Sequence, residues 1–288
     1  MESLLESIED WLSDLLVDGI MNNLTNAFDN VNNQVGQITT DVSQSPTDFL
    51  PGVFDLIRNI SENAILPVAG IILTFIACYE LIQLVISHNN LANFETWVFW
   101  KWVFKTFVAV TLISNTFNIT MAVFDVGQWV VQQSGAIING STAIDALDLF
   151  TMRLLLNTME IGELLAIFLQ SFIVQFGIRI LAIAIFVIIN GRMVEIYLMA
   201  SLAPIPFATF GNKEQSMMGQ NYLRSLFALA FQGFLIMICV GIYAVLITNV
   251  AFTADIVGSL WRVLGYTVLL AFTLFKTGTL AKSILHAH

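Results

Sequence analysis

Residues 163–190 read ELLAIFLQSFIVQFGIRILAIAIFVIIN, and this stretch decides the class of fold. After Glu163, its one charged side chain is Arg179. A helix of about 20 apolar residues crosses the roughly 30 Å hydrocarbon core of a bilayer. Residues 163–190 therefore predict a membrane-spanning helix.

Four further apolar runs have a comparable length, near residues 64–87, 99–123, 225–250 and 258–282. A sixth run, 194–210, is shorter and carries Pro204 and Pro206. Proline removes a backbone donor and breaks a helix, and broken backbone at membrane depth must be shielded by protein or face water. We therefore predict an all-α polytopic membrane protein with about five transmembrane helices and a re-entrant or interfacial broken element over 194–210.

The composition agrees with this class. Of the 288 residues, 57% are hydrophobic and 11% are charged, whereas soluble domains carry about 25% charged residues. The two cysteines, Cys78 and Cys239, lie inside apolar runs, and the three histidines are scattered. No phosphate-binding loop, nucleophile elbow or HExxH helix occurs. The sequence thus argues against an enzyme, and we expect no metal and no cofactor.

The N-terminal region is acidic. Residues 1–57 contain ten Asp or Glu and no Lys or Arg. Apolar positions recur at helical spacing over 2–32, which predicts an amphipathic helix, and the polar composition of 33–52 indicates a linker. Such a helix packs on its own protein or docks a neighbouring subunit. We divide the chain into an acidic region, 1–60, expected outside the membrane, and a transmembrane domain, 61–288.

Basic residues favour one topology. If 194–210 does not cross and the N-terminus is outside, seven Lys or Arg lie at the cytoplasmic side and three outside. If 194–210 crosses, the counts become four and six. Lys and Arg are enriched in cytoplasmic loops. We therefore expect five spans, an external N-terminus, an external loop over 125–157 and a cytoplasmic C-terminus.

Polar residues inside the predicted spans are candidates for mechanism, because they are expensive in a bilayer. They form a candidate intramembrane stripe of Glu80, Gln83, Gln175, Arg179 and Asn190. Glu80 and Arg179 could pair. Such residues form either a buried ion pair that fixes helix register or the polar lining of a shared cavity or subunit seam.

Aromatic and basic residues alternate at the start of the second span: Trp97, Trp100, Lys101, Trp102 and Lys105. This mixture is typical of the membrane–water interface. We interpret these five residues as an interface anchor rather than a platform for stacking bases.

Residues 195–245 read EIYLMASLAPIPFATFGNKEQSMMGQNYLRSLFALAFQGFLIMICVGIYAV. The Leu202-Ala203-Pro204 turn with Phe207, the polar break at 211–213 and the Tyr222-Leu223-Arg224 opening resemble TrbL-like inner-membrane subunits of conjugative type IV secretion systems, especially those of Gram-positive conjugative elements. The resemblance implies a homo-oligomeric channel component in the bacterial cell membrane that helps translocate single-stranded DNA with its attached relaxase. It also implies secretion ATPases and a coupling protein as partners, and no catalytic residue.

Within this reading, the broken element and the basic residues after it are a candidate gate or cytoplasmic docking element, comprising Pro204, Pro206, Phe207, Lys213 and Arg224. Two alternatives stay open. The chain could be a scaffold of the same machine that lines no pore. It could also be a small-solute or ion transporter, although no internal repeat supports this.

Overall fold

The structure is a computed structural model, and it describes residues 2–87, 96–137, 146–212, 214–250 and 255–287. Every regular element within these ranges is helical, which confirms the all-α fold. The longer helices are α1 (Glu2–Ser43), α4 (Leu66–Ser87), α5 (Thr96–Ser114), α6 (Thr116–Ile137), α8 (Ile161–Leu202), α10 (Ser216–Thr248) and α11 (Ile256–Ile284). The shorter ones are α2 (Pro46–Phe49), α3 (Pro51–Ile60), α7 (Ala146–Leu156) and α9 (Pro204–Ala208). A turn of π-helix occupies Ser61–Ile65, and a turn of 3₁₀ helix occupies Thr209–Gly211.

Among the described residues, five helical segments are long and apolar enough to cross a membrane, as predicted. They are Pro51–Ile86, Thr96–Ser114, Ile161–Gly211, Ser216–Thr248 and Ile256–Ile284. The predicted span 99–123 is interrupted at Asn115, between α5 and α6. The predicted span 163–190 does not end at Asn190, because α8 continues without a break to Leu202 and takes in the first part of the 194–210 element.

Helix α1 is longer than the sequence suggested. Residues 33–43, assigned above to a linker, are helical. The reason is that apolar residues continue at helical spacing through Val35, Ile38 and Val42, and all three are buried. Proline first occurs at Pro46, where it takes a position at which its missing N–H costs nothing.

The structure also divides the predicted external loop 125–157. Helix α6 continues to Ile137, and α7 occupies Ala146–Leu156. Residues 157–160 separate α7 from α8. The hydroxyl of Thr158 donates to the carbonyl of Leu155 at 2.7 Å, which satisfies one of the free carbonyls at the end of α7.

The chain divides into two compact units. Unit 1 comprises Met1–Val42, Gln133–Ile189 and Ile236–Thr277, and unit 2 comprises Ser43–Gln132, Asn190–Leu235 and Gly278–His288. In unit 1, α1 packs along the first part of α8. In unit 2, α9 packs on α4 and α5 around a cluster that includes Ala69, Ala109 and Phe207.

Candidate functional site

The residues predicted as a stripe on α8 occupy different environments. Gln175 is buried, Asn190 is half-buried and Arg179 is exposed. Around Arg179 the exposed side chains are apolar, among them Phe176, Ile180 and Ile183. Arg179 is also the one charged residue between 164 and 189. The chain therefore presents a single guanidinium in the middle of an otherwise apolar helix surface.

Glu80 has a different partner from the one expected. Its carboxylate forms an ion pair with the ammonium of Lys105, which joins α4 to α5. The structure thus gives Glu80 a partner within unit 2, and the possible pairing of Glu80 with Arg179 stays a prediction. Gln83, one turn after Glu80, donates from its amide to the hydroxyl of Tyr79 at 2.9 Å. Both members of the stripe on α4 thus have partners within unit 2.

The five aromatic and basic residues of α5 lie in two different surroundings. Trp97, Trp100 and Lys101 are exposed, and the Lys101 ammonium lies 5.6 Å from the centre of the Trp97 ring. Trp102 and Lys105 instead face α4: the Trp102 indole donates to the carbonyl of Ala77 at 3.1 Å. For the exposed three the interface anchor stays a prediction, and the other two hold α4 and α5 together.

The predicted gate or docking element is mostly enclosed. Pro204, Pro206 and Phe207 are buried, whereas Arg224 is exposed. Lys213 lies outside the described residues. A docking surface needs exposed side chains, so Arg224 is the described member that remains available for that role.

Side-chain hydroxyls donate hydrogen bonds to backbone carbonyls at the proline break. Pro204 has no N–H to donate to the carbonyl of Ala200, which lies one helical turn before it. That carbonyl accepts from the hydroxyl of Ser61 at 3.5 Å, and the carbonyl of Met199 accepts from the hydroxyl of Tyr222 at 2.8 Å. The break is thus shielded by protein, as broken backbone at membrane depth requires.

Thr209 completes this arrangement. Its hydroxyl donates to the carbonyl of Pro206 at 2.7 Å and accepts from the backbone N–H of Gly219 at 3.1 Å. A Cβ at Gly219 would lie 2.8 Å from the Pro206 carbonyl oxygen, so only glycine permits this approach. Sequence reasoning did not identify Ser61, Thr209 or Tyr222 as partners of the break. A hydroxyl close to an apolar span is a weak signal, because many such hydroxyls bond to their own helix.

Arg192, a second arginine of α8, was included above only among the seven basic residues at the cytoplasmic side. Arg192 is buried, with 8% of its surface exposed, and its Nε has no hydrogen-bond partner among the described residues. A Cβ at Gly233 on α10 would lie 2.8 Å from Arg192 Nη2. The absence of a side chain at Gly233 therefore provides the space that the guanidinium occupies.

No group of three or more His, Cys, Asp and Glu side chains in the described ranges could hold a metal ion. Cys78 is exposed, Cys239 is half-buried, and both are free thiols.

Comparison with known proteins gives one match. A family model described as TrbL/VirB6 plasmid conjugal transfer like protein matches residues 31–204. No curated protein matches the chain, and no solved structure matches it.

Proposed function

Because the chain belongs to the TrbL/VirB6 plasmid conjugal transfer-like family, we propose that it is a homo-oligomeric channel subunit of a conjugative type IV secretion system. Membership of this family makes the protein a component of conjugal transfer machinery, and its five apolar helices make it a membrane component. The finer role we assign is to help carry single-stranded DNA, with its attached relaxase, across the bacterial cell membrane. Secretion ATPases and a coupling protein are the partners we propose.

Arg179 is the observation that supports a channel rather than an isolated membrane subunit. A charged side chain near the centre of a bilayer costs several kcal/mol or more when it faces lipid. Arg179 lies about 24 Å along the helix from Glu163, at 1.5 Å per residue, which is too far for its side chain to reach that end of the span. A neighbouring copy of the chain or a water-filled passage between copies would satisfy the guanidinium.

The orientation we propose places the N-terminus outside and the C-terminus in the cytoplasm. Five crossings with seven basic residues at the cytoplasmic side support it.

The first test is a mating assay. The gene is deleted from its element and complemented with the wild-type chain or with Arg179→Ala, Arg179→Lys or Ile180→Ala. We expect deletion to abolish transfer and Arg179→Ala to reduce it about tenfold or more, because the intramembrane charge is lost. Arg179→Lys should retain much of the transfer. Ile180→Ala is the matched control, since Ile180 is the exposed neighbour of Arg179, and it should transfer normally.

The amount of each variant in the membrane fraction separates loss of function from loss of protein. Unchanged transfer after deletion would refute a role in conjugation. Unchanged transfer in a normally inserted Arg179→Ala variant would refute the part assigned to this charge. A cysteine at position 179 should also crosslink to DNA caught in transit, and crosslinks to protein alone would favour a scaffold that lines no pore.

A further inference from the structure

Within unit 1, α1 lies along α8 over more than twenty residues. Gly19 lies beside the Phe168 ring, and the Asn23 amide donates to the hydroxyl of Ser171 at 3.0 Å. Further along both helices, residues 34–41 and 182–189 form the walls of a cavity of about 240 Å³. Increasing numbers on one helix meet increasing numbers on the other, so the two helices are parallel.

The contact face of α1 is apolar. Its buried residues include Ile20, Leu24, Phe28, Val31, Val35 and Ile38, which recur every three or four positions as one helix face requires. The partner segment of α8, residues 164–189, is the apolar stretch that identifies this helix as a membrane span. At 1.5 Å per residue this segment is about 39 Å long, which exceeds the hydrocarbon core. Residues 19–41 of α1 therefore accompany α8 at the depth of the bilayer.

The opposite face of α1 is polar. Every exposed position from 22 to 40 is Asn, Gln, Thr, Asp or Gly, and the face includes Asn22, Asn26, Asp29, Asn33, Gln37 and Thr40. No Lys or Arg occurs anywhere in α1. This face is about 27 Å long, close to the thickness of the hydrocarbon core.

Such a face cannot be turned towards lipid. It carries four side-chain amides, at positions 22, 26, 33 and 37, and each costs about 2 kcal/mol or more when moved from water into hydrocarbon without a partner. The carboxylate of Asp29 costs more. The sum is comparable to the whole free energy of folding of a typical domain, about 5–15 kcal/mol. Water or another protein must therefore meet this face.

We propose that the polar face of α1 lines a water-filled passage formed by several copies of this chain, and that the passage conducts an extended polyanion. The proposal rests on the channel function proposed above and names the surface that contacts its cargo. Amides and hydroxyls offer hydrogen bonds without fixing a phosphate, whereas each Lys or Arg that neutralises a phosphate tightens binding and slows release. A face with no cation and a single carboxylate, Asp29, lets a nucleic acid strand move without being held.

This assignment changes an expectation from the sequence. Residues 1–60 were expected to lie outside the membrane. The proposal moves residues 19–41 to the depth of the bilayer, because their partner segment belongs to the most apolar of the five candidate spans. Residues 19–41 then add a crossing to those five, so the count of basic residues for five crossings no longer decides the topology.

Cysteine labelling tests the lining. Cys78 and Cys239 are first replaced by alanine, and single cysteines are then introduced as Asn26→Cys, Asn33→Cys, Ala27→Cys and Ile173→Cys. A membrane-impermeant thiol reagent is applied to intact cells and, separately, to inside-out vesicles. We expect the cysteines at positions 26 and 33 to react at least tenfold faster than the two controls.

The controls are matched in depth. Ala27 is the buried neighbour of Asn26, and Ile173 is exposed on α8 two residues after Ser171, the partner of Asn23. Absence of labelling at both 26 and 33 would overturn the lining, including the case in which another protein covers this face and crosslinks to it. Equal labelling of Ile173 and Asn26 would overturn the placement of α1 at bilayer depth. Only variants that still support transfer are scored, which excludes misfolded chains.

The labelling experiment and the mating assay test different parts of the proposal, so their outcomes can be told apart. If deletion leaves transfer unchanged while positions 26 and 33 are labelled, the channel function in conjugation is wrong, and the assignment of a polyanion as cargo is overturned with it. If deletion abolishes transfer while neither position is labelled, the conjugation role stands and α1 does not line the passage.

Discussion

Helices α1 and α8 lie side by side in unit 1 and have the same length, 42 residues, but their exposed surfaces have opposite chemistry. From 22 to 40, the exposed face of α1 contains only polar residues and glycine. The exposed face of α8 beside it is apolar apart from Arg179. Neighbouring helices at one depth can present such different faces only when one meets lipid and the other meets water or protein. If α1 lies at the depth of the bilayer, as proposed above, its polar face needs water or protein beside it, and so does Arg179, whereas the apolar rest of the α8 surface suits lipid.

The largest effect is expected from a substitution that forces α1 and α8 apart. Leucine at Gly19 must displace the Phe168 ring, because even its Cβ would lie 2.6 Å from Phe168 Cε2. We expect Gly19→Leu to lower stability by about 2 kcal/mol, which would appear as a lower melting temperature of the detergent-purified protein. Gly36→Leu is the control, since nothing lies within 4 Å of a Cβ at Gly36. Equal destabilisation by both substitutions would contradict the α1–α8 packing.

A cation introduced on the polar face of α1 tests the difference between the two helices through conjugal transfer. Asn33→Arg should reduce conjugal transfer about tenfold, because one added phosphate contact worth about 1.4 kcal/mol slows release of the strand by that factor. Asn33→Ser keeps the face polar and should transfer normally. The two variants are compared by transconjugant counts at equal amounts of protein in the membrane. Normal transfer in Asn33→Arg would argue against a nucleic acid moving along this face.

The smallest effect concerns the far end of α8. The Tyr222 hydroxyl satisfies the carbonyl of Met199 next to the proline break, so this helix meets its backbone needs within the protein rather than from water. Tyr222→Phe should lower stability by about 1 kcal/mol, measured as a shift in melting temperature. Tyr79→Phe serves as control, since Tyr79 is exposed and its hydroxyl accepts from the amide of Gln83 on the same helix. No difference between the two variants would show that water, not Tyr222, satisfies the break.

The family signal and the residues that first suggested it lie in different parts of the chain. The resemblance was based on residues 195–245, whereas the family model matches 31–204. The two overlap only at 195–204. The matched region begins in the second half of α1, two residues before the segment 33–52 that composition alone assigned to a linker. Its polar residues suggested a linker because the apolar residues between them, such as Val35 and Ile38, are few, although they are enough to continue a buried face.

The sequence predicted an all-α membrane protein with five spans, because apolar length and composition decide whether a helix can cross a bilayer. Residues 195–245 carried the resemblance to its family. The sequence also predicted that proline would interrupt the chain near 204. Only the tertiary structure decided which polar groups have partners. It pairs Glu80 with Lys105, buries Pro204 and Arg192, and leaves exposed Arg179 and the α1 amides at positions 22, 26, 33 and 37. Helical spacing shows which residues share a face, but the direction of that face depends on neighbouring helices that are distant in sequence.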